Sequence, residues 1–136
     1  MTILLVGLSV VIHYEALYTI AKLMGQVKMR PRRLVAFGVI GALMAHVVEI
    51  WLFAMGYYVL IQSGQAGTLG GEFAHDIQEC GYYSYVTYTT LGFGDITPSG
   101  PLRFVTGMEA LTGLVMITWT ASFMYLQMER LWKNHL

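Results

Sequence analysis

Three long apolar stretches dominate the pattern of hydrophobic and polar positions along the chain. They run from about residue 2 to 24, from 34 to 61 and from 102 to 128. Each exceeds the ~20 residues that an α-helix needs to cross a ~30 Å hydrocarbon layer. The pattern therefore predicts three membrane-spanning helices. The first is the least regular because His13, Glu15 and Lys22 interrupt it.

Basic residues flank these stretches unevenly. Five of the eight Lys and Arg residues are Lys22 and the four basic residues of segment 28–33, and two more follow the third stretch. Because cytoplasmic loops carry an excess of Lys and Arg, segment 28–33 is predicted to be cytoplasmic. The N-terminus is then outside and the C-terminus cytoplasmic, in a plasma (inner) membrane.

Composition supports a membrane protein and excludes several other classes. Of 136 residues, 56% are hydrophobic and 12% charged, with a formal net charge of zero. Soluble domains carry roughly 25% charged residues, about twice the percentage in this chain. A disordered chain, a nucleic-acid-binding protein with a basic face and a disulfide scaffold do not fit these values.

The segment between the second and third stretches, residues 62–101, has a different character. It is rich in Gly and carries Glu72, Asp76, Glu79 and Asp95, which would form an acidic outer mouth that attracts cations. Residues 82–90 are aromatic or small and uncharged. This run predicts a short helix that dips into the membrane, shielded from lipid by protein.

The next residues, 90–95, read T-L-G-F-G-D. A cation filter needs a ring of backbone carbonyls that replaces the hydration shell of the ion. Carbonyls of an ordinary strand alternate sides, whereas alternating backbone handedness turns them to one side. Gly92 and Gly94 meet this need because glycine takes a positive φ without steric cost. Leu91 and Phe93 are then expected to point away and pack behind the loop.

The sequence of residues 90–95 closely resembles the potassium-channel signature T-V-G-Y-G-D. Residues 96–102 resemble the outer-mouth turn of small prokaryotic members, and M-E-A-L-T-G at 108–113 is similar to the L-E-A-x-x-G of compact bacterial channels. The resemblance implies an all-α membrane protein in which an extra helix and basic loop (1–33) precede a pore domain (34–136). That domain would comprise an outer helix (34–61), an outer loop and re-entrant pore helix (62–89), a filter (90–95) and an inner helix (102–130).

The resemblance also implies residue roles. Potassium would be coordinated by Thr90, Leu91, Gly92 and Phe93, with Gly94 completing the filter and Asp95 anchoring its outer end. Gly113 would fall near the inner-helix hinge. Support for the filter is expected from Tyr82, Tyr83, Val86, Thr87 and Glu109. Phe93 and Leu91 replace the usual Tyr and Val, and Val86 replaces a carboxylate of some bacterial members. Since the chain has one such loop, a four-fold carbonyl ring requires a homotetramer.

Other polar residues have open interpretations. His13, Glu15, His46 and Glu49 lie within the predicted membrane core, where ionisable groups face protein or water. They form either a structural staple, with Glu15 meeting His46, or a proton- or metal-sensing site that biases the gate. Thr112, Thr118, Thr120 and Ser122 are candidates for the cavity wall, and Tyr57 for an interfacial aromatic belt. Cys80 either pairs across subunits or stays a buried thiol.

The sequence therefore predicts a passive potassium-selective channel, with potassium ions in the filter, no organic cofactor and no enzymatic activity. Its partners would be other copies of itself, the lipid bilayer and monovalent cations, but not nucleic acid. The alternatives are a weakly selective sodium/potassium channel of the same fold, a non-conducting regulatory membrane subunit, and a proton-coupled transporter that uses the intramembrane His and Glu residues.

Overall fold

The structure, a computed structural model, describes residues 1–134. Four helices and two short strands make up this part of the chain: α1 (Thr2–Gln26), α2 (Pro31–Gln62), β1 (Leu69–Gly71), α3 (Ile77–Tyr88), β2 (Ile96–Pro98) and α4 (Leu102–Lys133). Within the described residues, α1, α2 and α4 are long and apolar enough to cross a membrane. The three predicted spans are thereby confirmed.

Helix α2 begins three residues earlier than the apolar pattern predicted. Pro31 is its first residue, preceded by Arg30 in an extended conformation. Proline is well suited to this position, because the first helical amide has no partner within the helix and the ring sets the required φ. The connection from α1 is therefore only residues 27–30, and Arg32 and Arg33 lie in the first turn of α2.

The chain is mostly helical, and segment 62–101 adds two short strands, one on each side of α3, that the prediction did not include. Strands β1 and β2 pair antiparallel, with Leu69 opposite Pro98 and Gly71 opposite Ile96. Three-residue strands are too short to produce a recognisable alternating pattern in the sequence. The strand pair ties the segment before α3 to the segment after residues 90–95.

Helix α3 begins at Ile77, ahead of the uncharged run that predicted it. The side chain of Asp76 caps it by accepting a hydrogen bond from the Glu79 amide at 2.8 Å. An acidic N-cap satisfies one of the free amides of the first turn. Asp76, expected to be a free charge of an acidic mouth, therefore also has a structural role.

The core lies where α3 is enclosed by α2 and α4. Helix α1 packs against α2 and α4, and α2 also contacts α3. The larger group of buried side chains surrounds α3 and includes Phe53, Tyr57, Tyr83, Leu102 and Met116. A second group joins α1 to the first half of α2 and includes Leu17, Ile20, Met24, Leu34 and Ala42.

Gly113 permits the closest approach between α3 and α4. A Cβ atom built at Gly113 would lie 2.0 Å from the backbone oxygen of Tyr88. Because the neighbour is backbone, no side-chain rotation relieves this overlap. Gly113 therefore lets the C-terminal end of α3 rest directly on α4.

Replacing Gly113 by alanine is expected to lower the midpoint of thermal unfolding, because the added carbon forces α3 away from α4. Overpacking of this kind typically costs about 1–3 kcal/mol. Gly7→Ala is the control, since a Cβ atom at Gly7 has no neighbour within 4 Å. The measurement is a thermal melt of the purified chain in detergent, and equal midpoints for the two variants would contradict the close packing.

Candidate functional site

The T-L-G-F-G-D loop, residues 90–95, leaves the C-terminal end of α3 with alternating backbone handedness. Thr90, Gly92 and Gly94 have φ values of 60°, 56° and 81°. A positive φ was expected for the two glycines but not for Thr90. For a β-branched residue such as threonine, a positive φ is a strained backbone conformation. With every second residue left-handed, successive carbonyl groups can turn towards one side of the loop.

Amide groups of this loop bond back to the last turn of α3. The Thr90 amide donates to the Thr87 carbonyl at 2.9 Å, and the amides of Leu91 and Gly92 donate to the Val86 carbonyl at 3.0 and 3.1 Å. Within residues 1–134, the carbonyl oxygens of residues 90–94 accept no hydrogen bond. The loop therefore presents a row of free carbonyl oxygens, and the amides of its first three residues are bonded to α3.

Asp95 fixes the far end of the loop. Its carboxylate accepts a hydrogen bond from the Tyr82 hydroxyl at 2.7 Å and one from the Ile96 amide at 3.1 Å. Its backbone oxygen accepts from the Glu72 amide at 3.3 Å, beside strand β1. The loop is thus held at both ends, by α3 at its start and by Tyr82 and the strand pair at its end.

Leu91 and Phe93 do not pack behind the loop as predicted. They are 59% and 66% exposed. The reason is that one chain supplies protein only on the α3 side of the loop, where the amides are bonded. Two large apolar side chains therefore remain uncovered next to the free carbonyls.

Glu109 connects α4 to α2 and α3. It is fully buried, and its carboxylate accepts hydrogen bonds from the hydroxyls of Ser84 and Tyr57. Tyr83 extends this network through a 2.8 Å hydrogen bond to Thr106. The prediction that Tyr57 belongs to an interfacial belt is wrong, because its ring is buried and its hydroxyl bonds to Glu109.

His13, His46 and Glu49 meet where all four helices converge. Nδ1 of His13 lies 2.9 Å from Oε1 of Glu49, and Nδ1 of His46 lies 3.5 Å from Oε2. The Tyr88 hydroxyl donates to Glu49 and lies 3.0 Å from Nδ1 of His46. Thr120 contacts both imidazole rings.

Glu15 is not part of this cluster, which corrects its predicted contact with His46. It is exposed, on the opposite side of α1 from His13. Side chains two positions apart on an α-helix differ by roughly 200° in direction, so those of His13 and Glu15 cannot share a face.

Thr120, considered for the cavity wall, instead faces the histidines. The roles of Thr120 and Tyr88 had no signal in the sequence, because their partners are 39 to 107 residues away.

Cys80 lies in the first half of α3 and is buried. Burial raises the pKa of its thiol to about 11, with the nearby charges of Asp76 and Glu79 acting in the same direction. A protonated, inaccessible thiol is a poor nucleophile for disulfide formation. The buried-thiol interpretation is therefore favoured over a bridge between subunits.

The fold and site together define a multi-pass membrane protein with a carbonyl-bearing loop between two long apolar helices. A family model described as an ion channel matches residues 35–130. The chain belongs to this ion channel family, which confirms the resemblance seen in the T-L-G-F-G-D loop. The match covers α2 to α4 and begins after α1. Comparisons with curated proteins and with solved structures found no match.

Glu109→Ala is expected to destabilise the chain, because the buried Tyr57 hydroxyl loses its acceptor, whereas the Ser84 hydroxyl still reaches the Ile50 carbonyl at 2.7 Å. Each buried polar group left without a partner costs about 1–3 kcal/mol. Glu72→Ala is the control, as the Glu72 side chain is exposed. Unfolding of purified protein in detergent measures the effect. Equal stability of the two variants would contradict the structural role of Glu109.

Proposed function

We propose that the protein is a passive, potassium-selective channel in which four copies of residues 90–94 surround a single pathway. One observation carries this proposal: within residues 1–134 the carbonyl oxygens of residues 90–94 are free, while the amides of Thr90, Leu91 and Gly92 are bonded to α3. Backbone carbonyls in this arrangement are the ligands that replace the hydration shell of potassium. Family membership supports ion conduction, and the loop chemistry supports potassium as the ion.

Helix α3 acts in this proposal as a re-entrant pore helix. Its C-terminal end at Tyr88 lies next to the start of the loop, at Thr90. The C-terminal end of a helix carries partial negative charge, which favours a cation there. Its acidic N-cap, Asp76, lies at the other end, near the proposed outer mouth with Glu72 and Glu79. Electrostatics along the segment thus favours cations throughout.

A tetramer follows from what one chain leaves incomplete. One loop supplies a quarter of a carbonyl ring, and the side chains of Leu91 and Phe93 have no cover. An apolar groove of about 620 Å³ lies open between α2, α3 and α4, lined by residues that include Leu43, Tyr85 and Ile117. In the proposed assembly, neighbouring copies occupy these surfaces. The basic connection at residues 27–30 and the basic C-terminal turn face the cytoplasm, and the N-terminus lies outside.

Gly92→Ala is expected to abolish potassium flux, because alanine disfavours the positive φ that turns the loop carbonyls to one side. Gly64→Ala is the matched control. Gly64 also has a positive φ, 68°, and open space around it, but lies at the end of α2. Both substitutions carry roughly 1–2 kcal/mol of backbone strain. Flux is measured with purified protein in liposomes, and equal flux through both variants would place conduction elsewhere.

The same preparation tests selectivity and assembly. Under bi-ionic conditions the reversal potential is expected to favour potassium, and a value near zero would identify the weakly selective channel instead. Folded wild-type protein without flux would support a non-conducting subunit.

When wild-type and Gly92→Ala chains are co-expressed equally, flux is expected to fall to about one-sixteenth, since four functional chains must meet. A fall to one-half would contradict the tetramer.

Tyr82→Phe is expected to reduce potassium selectivity, because Asp95 loses the hydroxyl that fixes the outer end of the loop. Phe93 has no hydroxyl to replace it. Tyr85→Phe is the control on the same helix, since Tyr85 contributes a ring to the groove but no contact to Asp95. The measurement is the potassium-to-sodium permeability ratio in bilayers. An unchanged ratio in Tyr82→Phe would contradict the anchoring role.

A further inference from the structure

A compact set of ligand atoms lies buried at the junction of the four helices. His13 comes from α1, His46 and Glu49 from α2, Tyr88 from α3 and Thr120 from α4. His13 and Glu49 are fully buried. One atom from each of His13, His46 and Glu49 lies within 4.8 Å of the others. Tyr88 is the last residue of α3, two positions before Thr90, where the proposed filter begins.

Thr120 limits how the two histidines can be protonated. Its hydroxyl oxygen lies 3.2 Å from Nε2 of His13 and 3.0 Å from Nε2 of His46. A hydroxyl has one proton but two lone pairs, so it can accept from both rings and cannot donate to both. When both Nε2 atoms carry a proton and donate to Thr120, both Nδ1 atoms present lone pairs to the carboxylate of Glu49. A cation between them would satisfy these facing acceptors.

The spacing of the facing atoms suits a small metal ion. The separations are 2.9 Å from Nδ1 of His13 to Glu49, 3.5 Å from Nδ1 of His46 to Glu49, and 3.0 Å from Nδ1 of His46 to the Tyr88 oxygen. Ligand atoms around tetrahedral zinc lie about 3.3 Å apart, given bonds of 2.0–2.1 Å. The ligand atoms of His13, His46 and Glu49 are therefore close enough for small adjustments to bring them around one ion.

We propose that His13, His46 and Glu49 form a site for a divalent transition-metal ion, best matched by Zn²⁺, with the Tyr88 hydroxyl donating to the Glu49 carboxylate beside it. Imidazole nitrogen favours zinc and related metals over Mg²⁺ and Ca²⁺, which prefer oxygen ligands. Thr120 is the outer partner that orients both rings through their Nε2 protons, as is usual for metal-bound histidines. The glutamate charge offsets part of the charge of the ion inside the membrane.

A second buried polar group, the Ser9 hydroxyl, lies on the same face of α1 as His13. Ser9 lies one turn before His13 on the same face of α1 and is fully buried. Its hydroxyl has no hydrogen-bond partner within residues 1–134. Buried polar atoms without a partner are rare, and an ion or ordered water commonly accounts for them. The polar strip of α1 thus continues beyond the proposed site.

The consequence would be a clamp between α1 and the channel unit. His13 is the α1 ligand, whereas the other ligands belong to the part of the chain that matches the ion channel family. Bound metal would fix α1 against α2 and, through Tyr88, against the end of α3. This inference does not depend on potassium selectivity, and metal binding can be measured without ion flux.

The test is metal binding by the full-length chain in detergent, after chelation of any bound metal. Titration with Co²⁺ is expected to give the intense visible bands of a tetrahedral site and to saturate at one ion per chain. Zn²⁺ is expected to displace Co²⁺, whereas Mg²⁺ and Ca²⁺ leave the spectrum unchanged. Absence of the Co²⁺ bands in folded wild-type protein would overturn the proposal.

Variants identify the ligands. His13→Gln, His46→Gln and Glu49→Gln are expected to lose the Co²⁺ spectrum, whereas Glu15→Gln, an exposed carboxylate on α1, retains it. Thr120→Val is expected to weaken metal binding by about 10- to 100-fold, the usual effect of removing an outer partner. If the Gln variants do not fold, X-ray absorption of Zn²⁺-loaded wild-type protein decides, with two imidazoles expected.

Two results would overturn the assignment. Co²⁺ spectra unchanged in the His13→Gln and His46→Gln variants would place the metal elsewhere. A zinc absorption spectrum without imidazole scattering would do the same. In either case the cluster is held by hydrogen bonds alone, and Thr120 can donate to one ring and accept from the other.

Discussion

The hydrogen bonds between the loop amides and the last turn of α3 are the interaction on which the rest of the site depends. Val86 and Thr87 accept the amides of Thr90, Leu91 and Gly92 through their backbone oxygens. Inside a membrane every backbone polar group needs a partner, because no water is present to replace one. Because the amides of Thr90, Leu91 and Gly92 are bonded to α3, the position of α3 determines where the free carbonyl oxygens of the loop lie.

Two buried carboxylates hold α3 in that position from different sides. Glu109 of α4 accepts from Ser84, and Glu49 of α2 accepts from Tyr88. Gly113 then allows backbone contact between α3 and α4. Apolar packing alone orients helices weakly in lipid, since the hydrocarbon is as apolar as the side chains. Directional hydrogen bonds supply the orientation that the loop requires.

The same logic explains why some features were predictable and others were not. Span lengths and the T-L-G-F-G-D loop are local properties, readable from apolar runs and from two glycines at the correct spacing. The N-cap of α3 by Asp76 is also a local feature, but its sequence signal is only a few residues long. The strands β1 and β2 have three residues each and pair residues 25 to 29 positions apart, from Gly71 with Ile96 to Leu69 with Pro98. Pairing of that kind has no periodic signature in a sequence.

By itself the sequence determined three apolar helices, the loop between the second and third, and the alternating glycines that relieve backbone strain there. Only the tertiary structure decided which intramembrane charges meet: His13 joins Glu49, and Glu15 does not. It also decided that Thr90 takes a positive φ and that Tyr57, Ser84 and Glu109 form one network. The physical reason is that helix periodicity gives each residue a direction, whereas the rotation and depth at which helices pack determine its partner.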